Sequence, residues 1–201
     1  MTCRVETNER IVALTLDDGP TPEGTAAVLA ALERGGARAT FFLIGRQIER
    51  NPREVRRILV AGHEVANHSW SHRWMMGRSS GWYDREIART ATLLRRLGAR
   101  GPLLFRPPFG KKLVGLPLAV RRQGHRLVLW DVAEPDTADP RAYAAHIVER
   151  ARPGSIILMH VMYRSNRVAR EALPLAIDGL RRRGFRFVTV GELLARAEAD
   201  R

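Results

Sequence analysis

The sequence is poor in cysteine and in long apolar runs, and each shortage excludes a class of protein. Cys3 is the only cysteine among 201 residues, so no internal disulfide can form, and the composition agrees with a reducing compartment. No apolar run approaches the roughly 20 residues that a membrane-spanning helix needs. Residues 1–10 contain no apolar stretch that could serve as a signal peptide. We therefore expect a cytoplasmic protein without a membrane partner.

Lysine is also scarce, although the chain is strongly basic. Lys111 and Lys112 are the only lysines, and arginine supplies the rest of the basic residues behind a formal net charge of +13. Phosphate contacts by basic residues dominate nucleic-acid affinity, so a nucleic-acid-binding domain is one interpretation. The arginines are instead spread along predicted helices, which is typical of solvated helix faces. We therefore favour a protein that does not bind nucleic acid, and an anionic substrate or a tethering surface remains open.

The length and the pattern of apolar residues predict a single α/β domain over residues 1–201. Hydrophobic residues make up 45% of the chain, enough for a full core, and there is no linker, repeat or low-complexity segment. Short β-rich runs alternate with longer helical patterns. Predicted strands cover residues 11–16, 39–44, 63–66, 103–106, 127–130, 155–159 and 185–190. Predicted helices cover residues 25–34, 52–61, 83–97, 114–122, 141–151, 168–183 and 191–199. The pattern does not indicate an oligomeric state.

Such β-α units can close as a barrel or lie open as a doubly wound sheet, and periodicity does not choose between them. Polar side chains follow the carboxyl ends of five predicted strands, which converge on one face of a βα barrel. This convergence favours a distorted, TIM-barrel-like closure. The residues concerned are Asp17 and Asp18, His68 and His72, Arg106, Asp131 and Asp136, and His160.

The paired acids and the paired histidines predict a catalytic metal site. Two adjacent carboxylates do not readily ionise together, because their negative charges repel each other, unless a cation or a network of hydrogen-bond donors compensates the repulsion. Histidines four apart on a helical turn would share one face, so His68 and His72 could reach a single ion. Two imidazoles and one carboxylate leave coordination positions open for water and substrate, and the second aspartate is then free to act as a base. Taken singly, each motif also has a structural explanation: Asp-Asp-Gly-Pro as a turn, and the histidines as surface or core residues.

Several longer stretches, taken together, resemble the polysaccharide deacetylase family, which includes chitooligosaccharide and peptidoglycan N-acetylglucosamine deacetylases. They occur in the family's order and extend over most of the chain. The matching stretches are Thr15-Leu16-Asp17-Asp18-Gly19-Pro20, Ala39-Thr40-Phe41-Phe42, the run from Gly62 to His72, Phe105-Arg106-Pro107-Pro108-Phe109-Gly110, and the run from Pro153 to His160.

The resemblance implies a distorted (β/α)7 barrel that removes N-acetyl groups from amino sugars with one divalent metal ion. That ion is commonly zinc in the family, and sometimes cobalt or nickel. By position, Asp18, His68 and His72 would bind the metal. Asp17 would be the general base, oriented by Arg106, and His160 the general acid. The backbone N–H near Phe109 would help stabilise the oxyanion, and Leu158 would line the pocket for the acetyl methyl group.

The chemistry of amide hydrolysis accounts for these residue types independently of the family. The reaction needs an activated water, a polarised carbonyl and a proton for the departing nitrogen. A metal ion supplies the first two, because it acidifies water and acts as a Lewis acid. A carboxylate can accept the proton of the water, and a histidine can give one to the amine.

The chain departs from the family pattern at three places around the expected groove. Relatives carry Asp-x-x-Asp-Trp where this chain reads Ala133-Glu134-Pro135-Asp136-Thr137, so Asp131, Glu134 or Asp136 would have to replace the first acid. Val161-Met162 replaces Asp-Gly, and residues 72–78 differ from the usual polar turn. We assign Trp74, Trp130 and Asp136 as further candidates for substrate binding.

These observations predict a metal-dependent N-deacetylase that acts on an amino sugar in a soluble oligosaccharide, a glycoside or a sugar-bearing metabolite. One rival is a catalytically impaired barrel that binds carbohydrate, which the loss of the acid at Ala133 motivates. The other rival is the basic nucleic-acid-binding domain.

Overall fold

The computed structural model describes residues 1–199 and contains a sheet of seven parallel strands. Each predicted strand is present, and β1, β2, β3 and β6 match the predicted bounds closely. The strands are β1 (Ile11–Asp17), β2 (Ala39–Leu43), β3 (Glu64–Asn67), β4 (Leu104–Phe105), β5 (Arg126–Leu127), β6 (Ile156–His160) and β7 (Arg186–Phe187).

The sheet curls back on itself. Its strands follow the order β5-β4-β3-β2-β1-β6, and β7 pairs with the first residues of β1 while β6 pairs with the rest. Val132, which follows β5 in the chain, forms a parallel bridge with Ile157 of β6 and so joins the two ends of the path. The predicted distorted (β/α)7 barrel is therefore confirmed.

The fifth and seventh strands are shorter than predicted, and the last helix, α8 (Val190–Ala199), begins at the residue that was predicted to end the seventh strand. The N-terminal segment lies against the residues that follow β5. Thr2 bridges Val128, and the Leu129 N–H donates to the Thr2 carbonyl oxygen at 2.8 Å. Val128 also donates its N–H to the Phe105 carbonyl oxygen of β4 at 2.9 Å, so it lies between β4 and the N-terminal segment.

The helices pack against the sheet, and α8 contributes Leu193 and Leu194 to the same apolar cluster as Ala13 of β1. All seven predicted helices are present, with ends within three residues of the predicted bounds. A further short helix of six residues, α2, was not predicted. No helix within residues 1–199 is both long and apolar enough to cross a membrane. The helices are α1 (Pro22–Arg34), α2 (Gly45–Arg50), α3 (Pro52–Val60), α4 (Ser80–Arg96), α5 (Gly115–Arg122), α6 (Pro140–Arg150), α7 (Arg167–Arg182) and α8 (Val190–Ala199).

Alternation along the strands separates two apolar layers. Leu14 and Leu16 belong to the large cluster beneath the helices, whereas Ala13 belongs to the smaller cluster inside the barrel. Because successive side chains of a strand point to opposite faces, Asp17 continues the inner row of Ala13. The register pairs Asp17 with His160 of β6, so the inner row ends in polar groups at the carboxyl ends of the strands.

Candidate active site

Asp18, His68 and His72 meet at the mouth of the barrel. One potential ligand atom from each lies within 4.8 Å of the other two. The His72 Nε2 atom is 3.4 Å from Asp18 Oδ1, and the His68 Nε2 atom is 3.8 Å from the same oxygen. Asp18 Oδ1 is buried and accepts no hydrogen bond from residues 1–199. A buried carboxylate oxygen without a partner, faced by two imidazole nitrogens, fits a divalent cation.

Both imidazoles can offer a lone pair to that cation. The Nδ1 atom of His68 lies 2.8 Å from the Arg106 carbonyl oxygen, which can only accept, so Nδ1 carries the proton and Nε2 is free. Burial is the largest effect on the His72 imidazole and lowers its pKa, although Asp18 and Asp17 act in the opposite direction. The neutral form that binds metal is therefore favoured at His72.

The segment that carries the two histidines is not helical, so the helical geometry expected for His68 and His72 is wrong. The chain leaves β3 and turns sharply, with Ser69 at φ 62° and His72 at φ 55°. Asn67 Oδ1 accepts the Ser69 N–H, and Ser69 Oγ accepts the His72 N–H. Side-chain acceptors therefore replace the helical hydrogen bonds and still bring both rings to Asp18.

Glu86 of α4 holds the same loop from behind. Its Oε2 atom accepts hydrogen bonds from the Trp70 N–H at 3.1 Å, the Ser71 N–H at 2.8 Å and the Ser71 hydroxyl at 3.0 Å. Sequence reasoning missed this residue. The available signal was its position on the buried stripe of α4, between Tyr83 and Ile87, where a carboxylate needs hydrogen-bond donors.

Backbone strain is concentrated around the same cluster. Within residues 1–199, the non-glycine residues with positive φ are Asp18, Ser69, His72 and Phe109. Each such conformation costs on the order of 1–3 kcal/mol and persists only where the surrounding structure enforces it. Asp18 and His72 are proposed ligands, and the Phe109 ring lies 4.9 Å from the His72 ring. The strain therefore marks the site independently of its charges.

Asp17 lies next to the ligand cluster and forms a buried ion pair with Arg106. The Arg106 Nη1 atom donates to Asp17 Oδ1 at 2.6 Å and to Thr15 Oγ1 at 2.7 Å, and Nη2 donates to the Leu129 carbonyl oxygen at 2.8 Å. Burial lowers the pKa of the Arg106 guanidinium, and Asp17 opposes that change. The other oxygen of Asp17, Oδ2, is 3.7 Å from His68 Nε2, so it faces the ligands. This oxygen is placed to accept a proton near the metal position.

His160 is held by Glu134, which in turn is held by α6. The imidazole Nδ1 donates to Glu134 Oε1 at 2.7 Å, and the His160 N–H donates to Oε2 at 3.0 Å. The Tyr143 hydroxyl donates to the same Oε2 atom at 2.7 Å. Burial and Glu134 raise the pKa of Tyr143, which therefore remains a donor. His160 Nε2 is left free to face the site.

Glu134 changes the acid-base properties of His160. Burial lowers the pKa of the imidazole, but the hydrogen bond that it donates to Glu134 and the charges of Asp17, Glu134 and Asp18 outweigh burial and raise the pKa to about 9. Burial acts to raise the pKa of Glu134, and its bonds to His160 and Tyr143 reverse that effect, so its pKa is lowered. The pair therefore consists of a carboxylate and an imidazolium, which is the protonated form that a general acid requires.

The other two acids considered for this position have different surroundings. Asp131 accepts hydrogen bonds from the Ile156 N–H and the Ser155 hydroxyl, each at 2.8 Å. It therefore connects the segment after β5 to the start of β6. Asp136 is exposed and makes no hydrogen bond or ion pair with residues 1–199. The structure therefore places Glu134, and neither of these acids, on the histidine.

The predicted substrate-binding side chains surround the cluster at different depths. Leu158 is buried on β6 in register with Thr15, one inward position below His160. Phe109 and Trp74 are exposed, and their ring centroids are 5.7 Å apart. Trp130 is half-buried against Gly110, with its ring centroid 5.3 Å from the Arg106 guanidinium carbon. No acceptor within residues 1–199 takes the Phe109 N–H.

Comparison with known proteins identifies close relatives of the whole fold. A family model described as polysaccharide deacetylase matches residues 4–128. A peptidoglycan-N-acetylglucosamine deacetylase of Bacillus cereus is 35% identical over 198 residues, which covers 96% of this chain and 92% of that protein.

Solved structures agree with the sequence relatives. The Bc1960 peptidoglycan N-acetylglucosamine deacetylase, in complex with 4-naphthalen-1-yl-N-oxidanyl-benzamide, has a TM-score of 0.89 and 32% identity and covers 96% of this chain and 91% of that chain. BA3943, a CE4 family pseudoenzyme of Bacillus anthracis, has a TM-score of 0.86 and 27% identity and covers 96% of this chain and 68% of that chain. The fold is thus shared by an enzyme and by a pseudoenzyme.

Proposed function

This chain belongs to the polysaccharide deacetylase family, and we propose that it hydrolyses the N-acetyl group of an amino sugar with the help of one divalent metal ion. The observation that carries the proposal is the meeting of Asp18, His68 and His72 within 4.8 Å, beside a buried Asp17–Arg106 pair. Residues separated by 88 positions in the chain, from Asp18 to Arg106, converge on this point. Such convergence is what hydrolysis of a stable amide requires.

Asp18, His68 and His72 are the residues that would hold the metal ion, and zinc, cobalt and nickel all suit their oxygen and nitrogen donors. When bound, such an ion polarises the acetyl carbonyl and acidifies a neighbouring water. An N-hydroxybenzamide presents two oxygens that can chelate a metal. The compound bound to the Bc1960 relative therefore offers a direct probe of the site in this chain.

The chain's own residues handle the protons. Asp17 Oδ2 faces the ligand cluster and accepts the proton of the attacking water, while Arg106 fixes the other oxygen. His160 is the imidazolium that gives a proton to the departing nitrogen. The Phe109 N–H, left without an internal acceptor, donates to the developing oxyanion. Leu158 lies on the inner row and contacts the acetyl methyl group.

We propose a soluble N-acetylated oligosaccharide or glycoside as the substrate. Support comes from residues 72–78, where an exposed tryptophan stands beside a metal ligand in place of the polar turn found in relatives. A short soluble chain can reach this tryptophan at the barrel mouth. Activity confined to insoluble chitin or intact cell-wall polymer would contradict this part of the proposal.

The rival function is a barrel that binds carbohydrate without turnover. Ala133 replaces the acid that relatives carry, and a pseudoenzyme shares the fold. One observation argues against this rival. Glu134, the residue after Ala133, places its Oε1 atom 2.7 Å from His160 Nδ1 and so supplies the carboxylate that Ala133 lacks. The enzyme is therefore the function that the geometry supports best.

The experiment that separates the two is acetate release from a panel of N-acetylated sugars, combined with metal analysis of each protein. We expect the wild type to release acetate. Asp17→Asn and His160→Ala should retain the metal and lose at least about 10²-fold in rate, the typical contribution of general acid-base groups. Bound metal without acetate release on any sugar would support the binding barrel. Undiminished release by either variant would refute its assigned role.

A further inference from the structure

Helix α5 and the loop before it expose apolar side chains to solvent. Leu113, Val114 and Leu118 are 51%, 76% and 57% exposed, and Phe109 in the same loop is 55% exposed. These four are half of the eight large apolar side chains that are exposed within residues 1–199. A single exposed apolar side chain needs no explanation, whereas a concentration of them marks a binding surface.

The outer face of α5 is apolar and has no cover. The Leu118 N–H donates to the Val114 carbonyl oxygen at 3.3 Å, so these two residues are one helical turn apart and share a face. The opposite face carries Leu116, Ala119 and Val120, which are buried in the apolar cluster that α5 shares with α4. A helix that is apolar on both faces is normally buried on both. Residues 1–199 bury only the inner face of α5.

Positive charge lies directly beside the uncovered face. Arg121 follows Leu118 by three residues and therefore shares its face, and two lysines precede Leu113 in the chain. These three cations form no ion pair with residues 1–199, whereas the adjacent Arg122 pairs with Asp84 at 2.6 Å. No aspartate or glutamate occurs in residues 97–130. We call the following set the interfacial segment: Lys111, Lys112, Leu113, Val114, Leu118 and Arg121.

We propose that the interfacial segment docks on the surface of an anionic membrane. Apolar side chains enter the boundary between lipid headgroups and acyl chains, and basic side chains beside them attract anionic headgroups. Leu113 and Val114 protrude before the helix, which suits a fluid surface that needs no matching cavity. A second copy of this chain fits less well, because its net charge of +13 would bring like charges together.

Docking would hold the barrel mouth beside the lipid. The interfacial segment begins two residues after Phe109, whose ring lies 4.9 Å from the His72 ring. We predicted no membrane partner because no segment can span a bilayer, but attachment to one surface of a bilayer needs no spanning segment. The inference concerns attachment alone and does not depend on the deacetylase function.

Co-sedimentation with two kinds of vesicle tests the attachment. One kind contains phosphatidylglycerol and phosphatidylcholine in equal amounts, and the other contains phosphatidylcholine alone. At low salt the partition coefficient should be at least about tenfold higher for the anionic vesicles, since each lysine or arginine near an anionic surface contributes about fivefold. The difference should shrink when salt is raised from about 0.02 M to about 0.5 M. Equal binding to both kinds, or no binding to the anionic vesicles, would overturn the proposal.

A charge-matched pair of variants separates the interfacial segment from the overall charge. Lys111→Gln with Lys112→Gln should lower the partition coefficient for anionic vesicles by at least about tenfold. Arg150→Gln with Arg182→Gln removes the same charge from exposed positions on α6 and α7 and should leave the coefficient nearly unchanged. Equal losses in the two double variants would show general attraction of a basic chain and would contradict the proposal.

A second pair of variants tests the apolar contribution. Leu113→Ser with Val114→Ser should weaken binding to the anionic vesicles by about tenfold or more, because these side chains leave water on docking. Val60→Ser with Leu175→Ser changes two exposed apolar side chains on α3 and α7 and should bind as the wild type does. Undiminished binding in the first variant would mean that the apolar face is not used.

A dye on the segment separates insertion into lipid from attraction alone. Cys3 is the single cysteine, so Cys3→Ser with Val114→Cys carries one environment-sensitive dye at position 114. Its emission should move to shorter wavelength on anionic vesicles, whereas the dye on Val60→Cys in the same background should not respond. Two outcomes would overturn the proposal. Binding to polyglutamate with no shift on vesicles would assign the surface to an acidic protein, and dimerisation that Leu113→Ser with Val114→Ser abolishes would assign it to a second copy.

Discussion

Replacing Glu134 with glutamine should lower the pKa of His160 and weaken catalysis most at high pH. The pKa of His160 is about 9, against an ordinary value of 6.5, and Glu134 supplies two of the four effects that raise it: a hydrogen bond and a charge. A glutamine oxygen can still accept from Nδ1 but carries no charge. A hydrogen bond to a charged group is worth about 1–2 kcal/mol more than a neutral one, and one pKa unit corresponds to about 1.4 kcal/mol, so the pKa of His160 should fall by about 1.

The change is measured by NMR titration of the His160 ring in the metal-free protein. A cation at Asp18 would cancel part of the attraction from the two aspartates, so the activity of the loaded enzyme should decline from a pH below 9. Because a general acid must be protonated, kcat/KM should fall as pH rises through the pKa of His160, and Glu134→Gln should move that decline to lower pH. The loss relative to wild type should therefore grow from neutral to alkaline pH.

Asp136→Asn is the matched control, because it removes an exposed carboxylate two residues away that makes no hydrogen bond or ion pair with residues 1–199. It should leave the pKa and the pH profile unchanged. The reasoning fails if Glu134→Gln leaves the His160 pKa at its wild-type value, or if Asp136→Asn lowers it by the same amount.

Three further predictions concern the residues that support the site. Tyr143→Phe removes the hydroxyl that donates to Glu134 at 2.7 Å, so kcat should fall about fivefold while the fold is unchanged; an unaltered kcat would show that Glu134 needs no anchor. Arg106→Met leaves Asp17 as an uncompensated buried charge, and urea denaturation should show a loss of about 3–5 kcal/mol in the free energy of unfolding; a stable variant would contradict the buried pair. Glu86→Ala frees the ligand loop, so a chelator competition should show metal affinity reduced by about 10- to 100-fold, whereas the exposed Glu49→Ala should match wild type.

The fold could be read from the sequence because its strands and helices carry clear periodicity. The β1 and β6 runs are continuous and apolar, and the helix bounds follow capping residues and glycines. The short α2 helix escaped prediction because six residues, Gly45–Arg50, are too few to establish a period. The pairing of Thr2 with Val128 could not be predicted either, because the two residues are more than a hundred positions apart.

The reacting groups could be predicted, but their supports could not. Asp17, Asp18, His68, His72 and His160 stand in motifs whose spacing is visible in the chain. The conformation between the histidines was misjudged because a four-residue spacing fits a helix as well as the turn that Ser69 makes at positive φ. Glu86 and Tyr143 contribute through tertiary hydrogen bonds from distant helices, which no local pattern encodes.

The choice between Asp131, Glu134 and Asp136 depends on side-chain reach. All three lie within six positions, and only the structure shows that Glu134 reaches His160 while Asp131 fastens Ser155. In a segment without regular secondary structure, the direction of a side chain does not follow from its position in the sequence. Spacing alone therefore could not assign the partner of His160.

The central claim is that Asp18, His68 and His72 hold a single ion on which acetate release depends, and a stoichiometric metal titration tests it most directly. Protein stripped with a chelator is supplied with increasing zinc, cobalt or nickel, and acetate release from an N-acetylated oligosaccharide is followed. The account predicts no release from the stripped protein, recovery that reaches its limit at one ion per chain, and no recovery in Asp18→Ala. Full acetate release by the stripped protein, or by Asp18→Ala, would contradict it.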